Sequence, residues 1–137
     1  MNTSESKYSQ CLYFSSNALA RKVEKLAQES WRPVGLAPSH AYLLMMVIDV
    51  PGIQPGALAN ELQLQPSTIT RLIEKLEEKK LVVRIAEGKV TNVYSTSKAR
   101  QLNSKLRECV GHFYAAHATI LGKEESSNGQ EHEQARR

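Results

Sequence analysis

The chain has 137 residues, 41% of them hydrophobic, enough for a single domain with a modest core. Eighteen Lys and Arg against 14 Asp and Glu leave a net charge of +4, mildly basic and far from histone-like. No run approaches the ~18 apolar residues of a membrane span, and the N-terminus lacks the cationic and apolar blocks of a signal peptide, so a cytoplasmic protein with no membrane partner is expected.

Tyr8 to Gln28 carries Leu12, Leu19, Val23 and Leu26 on one stripe flanked by Arg21, Lys22, Glu24 and Lys25, an amphipathic helix. Trp31-Arg32-Pro33-Val34-Gly35-Leu36-Ala37-Pro38 ends it, because residues before proline are biased away from helix. Pro38 or Ser39 opens a second helix to about Val50, with Tyr42, Leu43, Met46 and Val47 on a wide apolar face; Pro51-Gly52 is a turn.

From Gln54 to Lys79 two apolar stripes appear in different registers. Leu58 and Leu62 share one face, the phase breaks at Leu64-Gln65-Pro66, and Ile69, Leu72, Ile73 and Leu76 resume helical spacing. Two short helices across a tight turn, with the small Ala59 at their crossing, predict a helix-turn-helix. The second helix turns Ser67, Thr68, Thr70, Arg71, Glu74 and Lys75 outward: short hydroxyls near its start and cations behind them, chemistry that reaches phosphates and base edges.

Leu81–Ile85 and Val90–Tyr94 flank Glu87-Gly88-Lys89 and predict a β-hairpin, which in this place is a wing. Thr96 or Ser97 then caps one long helix to about Leu121, with Leu102, Leu106, Cys109 or Val110, Phe113 and Ile120 on its stripe. Residues 123–137 lack apolar periodicity and are expected to form a disordered tail. The small central module cannot bury both terminal stripes, so a second copy is expected to cover Leu12, Leu19, Leu102, Leu106 and Phe113 in a two-fold dimer. Between Pro66 and Arg100 eight cations stand against four acids, 8 − 4 = +4, so the whole chain's excess sits on the suspected DNA-reading segment.

These residues carry a resemblance to the MarR family of bacterial winged-helix regulators over about residues 8–121. The likeness lies in Gly35-Leu36-Ala37-Pro38-Ser39, in Ala57-Leu58-Ala59-Asn60-Glu61-Leu62, in the stretch Gln65 to Glu77, and in Leu81-Val82-Val83-Arg84. It implies a mainly α fold with a small β-hairpin wing: one domain over 1–122, with a winged helix-turn-helix lobe at about 34–98 flanked by dimerisation helices at about 6–30 and 97–121. It also implies an obligate homodimer on a pseudo-palindromic double-stranded operator, and repression relieved by a small molecule or an oxidant. By position, Ser67, Thr68, Thr70 and Arg71 match the family's groove-facing residues, and Arg84 and Lys89 its wing base and wing tip; Lys75 joins them as a DNA contact. Trp31, His40 and Tyr42 fall in the segments that would line an effector pocket suited to a small aromatic anion.

The chain departs from the family pattern at the wing, where Glu87-Gly88-Lys89 replaces an Asp-x-Arg, and lysine lacks arginine's planar fork. Ser95-Thr96-Ser97-Lys98-Ala99 replaces a Leu-Thr-x-x-Gly pattern. Gln63 and Lys80 stand where the family has glycines, so a left-handed backbone at either would cost about 1 kcal/mol.

Cys11 lies where the family's peroxide-sensing branch keeps its reactive thiol, which makes a redox-sensing regulator one alternative; the other reading of Cys11 is a small apolar residue in a dimer stripe. Cys109 could meet it across a dimer, but both cysteines read first as reduced thiols. His40, His112 and His117 suggest metal, yet the five-residue step from His112 to His117 does not put two imidazoles on one face, so no metal and no cofactor is expected. No Ser-His-Asp order, carboxylate pair or phosphate-cradling glycine loop appears, and an enzyme is not expected. A winged-helix protein-interaction module without DNA binding is the rival from another class.

Overall fold

The computed structural model describes residues 10–128, with side chains described to residue 120. Its elements in chain order are α1 (Leu12–Trp31), a 3₁₀ turn (Arg32–Val34), α2 (Pro38–Asp49), α3 (Pro55–Leu62), α4 (Pro66–Glu78), β1 (Val82–Glu87), β2 (Val90–Ser95), α5 (Ser97–Gln101) and α6 (Asn103–Asn128). The fold is therefore mainly α with a two-stranded antiparallel hairpin, the winged helix-turn-helix expected. Two compact units divide it, one built from residues 31–110 and one from the helical segments before residue 31 and after residue 110.

The 31–110 unit holds the winged helix. α2, α3 and α4 each start with proline at the first helical position, where a missing N–H has no intrahelical partner to lose. Ala41, Leu43, Leu44, Met45 and Val47 of α2, Leu58 and Ala59 of α3, and Ile69, Leu72, Ile73 and Leu76 of α4 are all buried. Burying the four α4 side chains stabilises the lobe by roughly 1.5–3 kcal/mol each. Trp31 is fully buried, with its ring 4.9 Å from that of Tyr42.

Both unusual backbone positions are where glycines were missed. Gln63 ends α3 at φ 54° and Lys80 follows α4 at φ 62°. At each, the next residue's N–H reaches back five positions, Leu64 to the Ala59 carbonyl at 3.1 Å and Leu81 to the Leu76 carbonyl at 2.9 Å. These are the bonds of a left-handed helix cap, and they turn the chain sharply after each helix. Thr96 Oγ1 accepts from the Ala99 N–H and so caps α5, as expected, and it donates to the Lys80 carbonyl at 2.8 Å.

The wing pairs Val82 with Ser95 through Glu87 with Val90, leaving a two-residue turn of Gly88 (φ 68°) and Lys89. On its other edge β2 makes a single bridge from Val93 to Ile53. Gly52, at φ 84°, lies so close to the Tyr94 hydroxyl that an added Cβ would stand 3.1 Å from it.

Two expectations about the C-terminal helix need correction. It is not one helix from Ser97: the Leu102 N–H bonds to the Ala99 carbonyl, three residues back, and α6 starts afresh at Asn103. Asn103 and Ser104 are weak helix formers that favour such a break. Nor does helix stop at 121. α6 runs to Asn128, so the start of the expected tail, 123–128, is helical, with good helix formers at Lys123, Glu124 and Glu125; residues 129–137 lie outside the described residues.

In the helical unit the buried Ser30 hydroxyl donates to the Leu26 carbonyl at 2.8 Å and stands 3.1 Å from His112 Nδ1. With its one proton donated to Leu26, Ser30 has its oxygen lone pairs free to accept from a His112 Nδ1–H.

The left-handed cost at Gln63 and Lys80 predicts a gain on removing it. Lys80→Gly and Gln63→Gly should each raise the unfolding free energy, by up to about 1 kcal/mol after the entropic cost of glycine is subtracted. Urea denaturation of the two variants checks this, and a loss of stability in both would show that neither backbone is strained.

Candidate nucleic-acid interface

The site begins with the rotation of α4. Because Ile69, Leu72, Ile73 and Leu76 are buried, helical geometry leaves Ser67, Thr70, Arg71, Glu74 and Lys75 exposed on the opposite face, with Thr68 half-buried at its edge. Thr70 Oγ1 donates to the Pro66 carbonyl at 3.1 Å, which leaves its oxygen lone pairs and methyl outward. The Lys75 ammonium lies 3.6 Å from Glu78, a loose pair with both side chains more than half exposed. An exposed pair of this kind is worth well under 1 kcal/mol and gives way readily to another anion. Lys89 stands exposed at the wing turn, away from α4 in sequence but on the same lobe.

Arg84 is placed differently. Its guanidinium sits 2.8 Å from the Glu77 carboxylate of α4, so this predicted DNA residue is held against the helix. Lys98 and Arg100 are committed as well: Lys98 Nζ donates to the Lys79 carbonyl at 3.0 Å and Arg100 to the Ser95 carbonyl at 2.7 Å. Sequence alone missed these three engagements, because each depends on the wing and α5 folding back beside the end of α4 or of β2. A further ion pair joins Arg107 of α6 to Asp49 at the end of α2, with Asn103 accepting from Arg107 Nε at 3.1 Å.

Trp31, His40 and Tyr42, the residues expected in an effector pocket, all lie in the 31–110 unit. Trp31 is buried with its ring 4.9 Å from that of Tyr42, and Tyr42 and His40 are both half-exposed on α2. Burial holds the His40 pKa below the usual histidine value, helped by the charges of Lys79 and Lys75. An open groove of about 230 Å³ lies instead in the helical unit, lined by Leu19, Val23, Phe113, His117 and Ile120. His117 packs there against Phe113 and Tyr114, each ring centroid 5.1 Å away.

Of the five residues expected to meet a second copy, Leu12 is 80% exposed, Leu19 and Phe113 line the groove, and Leu102 is half-buried at the α5–α6 junction. Leu106 is a correction. It is completely buried within the chain and has no surface left for a partner.

Cys11 is exposed just ahead of α1, where its carbonyl accepts from the Ser15 N–H and hydroxyl. Cys109 is buried, and burial, then Glu108, pushes its thiol pKa up against the opposing charge of Lys105. Among the described residues no three His, Cys, Asp or Glu side chains group closely enough to hold a metal ion, and no helix is long and apolar enough to cross a membrane.

The low His40 pKa makes a pH prediction. The folded lobe takes up a proton at His40 less readily than the unfolded chain, so this residue costs no stability above about pH 6.5 and costs progressively more as pH falls from there toward its folded pKa. Urea midpoints at pH 7.5 and 5.5 should differ less in His40→Gln than in wild type. An equal difference in both would remove His40 from the pH response.

Residues 34–90 match the MarR family. CouR from Rhodococcus jostii RHA1, solved bound to p-coumaroyl-CoA, superposes with a TM-score of 0.69 at 20% identity, covering 89% of this chain and 91% of that one. A second structure of the transcriptional repressor CouR with the same ligand gives 0.73 at 19% identity, covering 88% and 86%. A MarR transcriptional regulator from Methanosarcina mazei Go1 gives 0.67 at 20% identity, covering 79% and 80%. No curated protein matches the sequence. At such low identity the solved structures carry the fold alone, and they carry it over most of the chain. The winged-helix segment, residues 34–90, matches the MarR family, and the fold built around it is similar to that of solved MarR-family transcriptional regulators.

Proposed function

We propose that this protein is a sequence-specific double-stranded-DNA-binding regulator, a homodimer that represses from a pseudo-palindromic operator and releases it on binding a small aromatic effector. The observation that carries the reading is the outer face of α4: Ser67, Thr68, Thr70, Arg71 and Lys75 stand on one side of a helix whose other side is locked into the lobe. Hydroxyls near the helix start suit phosphates and base edges, and an arginine one turn in suits the O6/N7 edge of guanine. Lys89 at the wing adds a point charge fit for a phosphate and without arginine's fork for the minor groove. That CouR is bound to p-coumaroyl-CoA supports an aromatic effector class here.

The dimer rests on the helical unit. Leu12, Tyr13, Phe14 and Tyr114 are each more than half exposed, and the groove beside Phe113 is apolar. Apolar exposure on this scale in one small unit calls for a covering surface, and a second copy supplies one by symmetry. Leu12→Asp should raise the dimer dissociation constant about tenfold or more without unfolding the lobe, since Leu12 touches little within its own chain. Sedimentation of wild type as a monomer at micromolar concentration would refute the dimer.

The reading of DNA is tested by comparing two cations. Arg71→Ala should weaken operator binding by about 1–3 kcal/mol per half-site and random duplex less, narrowing the specificity ratio. Lys89→Ala should weaken both duplexes alike and reduce the salt slope by roughly one unit per lost phosphate contact. Gel shifts across a salt series check both. Lys89 controlling specificity while Arg71 acts uniformly would make the wing the reader. A wild-type protein that retains no duplex even at low salt would favour an interaction module.

A further inference from the structure

The pairing register decides where each wing side chain points. Val82, Arg84 and Ala86 share a sheet face with Ser95, Val93 and Thr91, and on that face Val82 and Val93 are buried. The opposite face carries the exposed Val83, Ile85 and Val90. Arg84 therefore leaves β1 on the inward face, toward α4, and there its guanidinium meets Glu77 at 2.8 Å.

We infer that Arg84 is a positioning residue of the DNA-reading lobe and not a phosphate ligand: with Glu77 it pins the wing to α4 and cancels that helix's inward negative charge. The inference rests on the DNA-binding reading above. Two arguments carry it. The side chains are 37% and 30% exposed, so the pair is partly desolvated and harder to exchange than Lys75 with Glu78, at 58% and 71%. If the guanidinium swung out to a phosphate, the Glu77 carboxylate would be left bare beside a polyanion, so the exchange trades one anionic partner for another and adds a repulsion. The contact joins a strand residue to a helix residue, Arg84 of β1 to Glu77 of α4, so it restrains the wing against the recognition helix. The wing tip, and Lys89 with it, is thereby held at a set distance from Arg71 on the recognition helix.

The test uses the full-length protein as wild type, Arg84→Gln, Glu77→Gln and the double variant. Without DNA, amide hydrogen exchange in β1 and β2 should rise about two- to fivefold in either single variant and no further in the double, because each substitution removes the same pin. With DNA, Arg84→Gln should weaken operator binding while leaving the salt slope at the wild-type value. Glu77→Gln, which frees the guanidinium, should steepen the slope by about 0.9 per protomer. Unchanged wing exchange in both single variants would overturn the inference. So would a slope that falls by about 0.9 per protomer in Arg84→Gln, the sign of a lost phosphate contact. If wild type retains no duplex at any salt, the DNA-binding reading fails, and the exchange experiment still decides whether Arg84 pins the wing.

Discussion

Everything on the outer side of α4 is held in place by four side chains on its inner side. Ile69, Leu72, Ile73 and Leu76 are buried almost completely, and together they fix the helix's rotation about its own axis. Each residue along a helix turns the face by about 100°, so a register shift of one position would carry Arg71 out of the outward arc. Large-to-small changes in this stripe would cost roughly 2–5 kcal/mol apiece, a large share of the stability of a small domain. The rest of the lobe serves the same constraint: α2 supplies the packing surface, Ala59 lets α3 lie close, and left-handed caps at Gln63 and Lys80 bring the chain into and out of α4.

Electrostatics then separates cations that can reach a partner from those already engaged. The segment from Pro66 to Arg100 has a formal excess of four positive charges, but position matters more than the sum. Lys98 is bonded to the Lys79 carbonyl at the end of α4, Arg100 to the Ser95 carbonyl at the end of β2, and Arg84 is ion-paired with Glu77. Arg71, Lys75, Lys79, Lys80 and Lys89 remain on outward surfaces, and under the account proposed here Arg71, Lys75 and Lys89 carry the contact with DNA. Burial first, and then the charges of Lys79 and Lys75, hold the His40 pKa below the usual histidine value.

Most of the fold was legible because its signals are local. The phase break at Leu64-Gln65-Pro66, prolines at the first helical position, and the turn chemistry of Glu87-Gly88-Lys89 each act within a few residues and mark boundaries found in the structure. Glu87, expected in the turn, lies in β1 and pairs with Val90. Even the two left-handed positions were visible, as glycines replaced by Gln63 and Lys80. What was not legible depends on contacts distant in sequence or on the shift of one hydrogen bond. Leu106 lies on a stripe indistinguishable from an interface stripe, and only packing shows that its own chain covers it. Arg84 looked like any wing cation, because strand parity is meaningless until the register of β1 on β2 is known. The break at Leu102 turns on a single bond to the third rather than the fourth preceding carbonyl.

The central claim is that two copies of this lobe read one duplex. Selection of bound sequences from a pool of random duplexes by the wild-type protein tests it most directly. The account predicts enrichment of inverted repeats whose half-sites lie about one helical turn, roughly 10 base pairs, apart or a multiple of it. Enrichment of a single unrepeated half-site, or of no sequence at all, would contradict it.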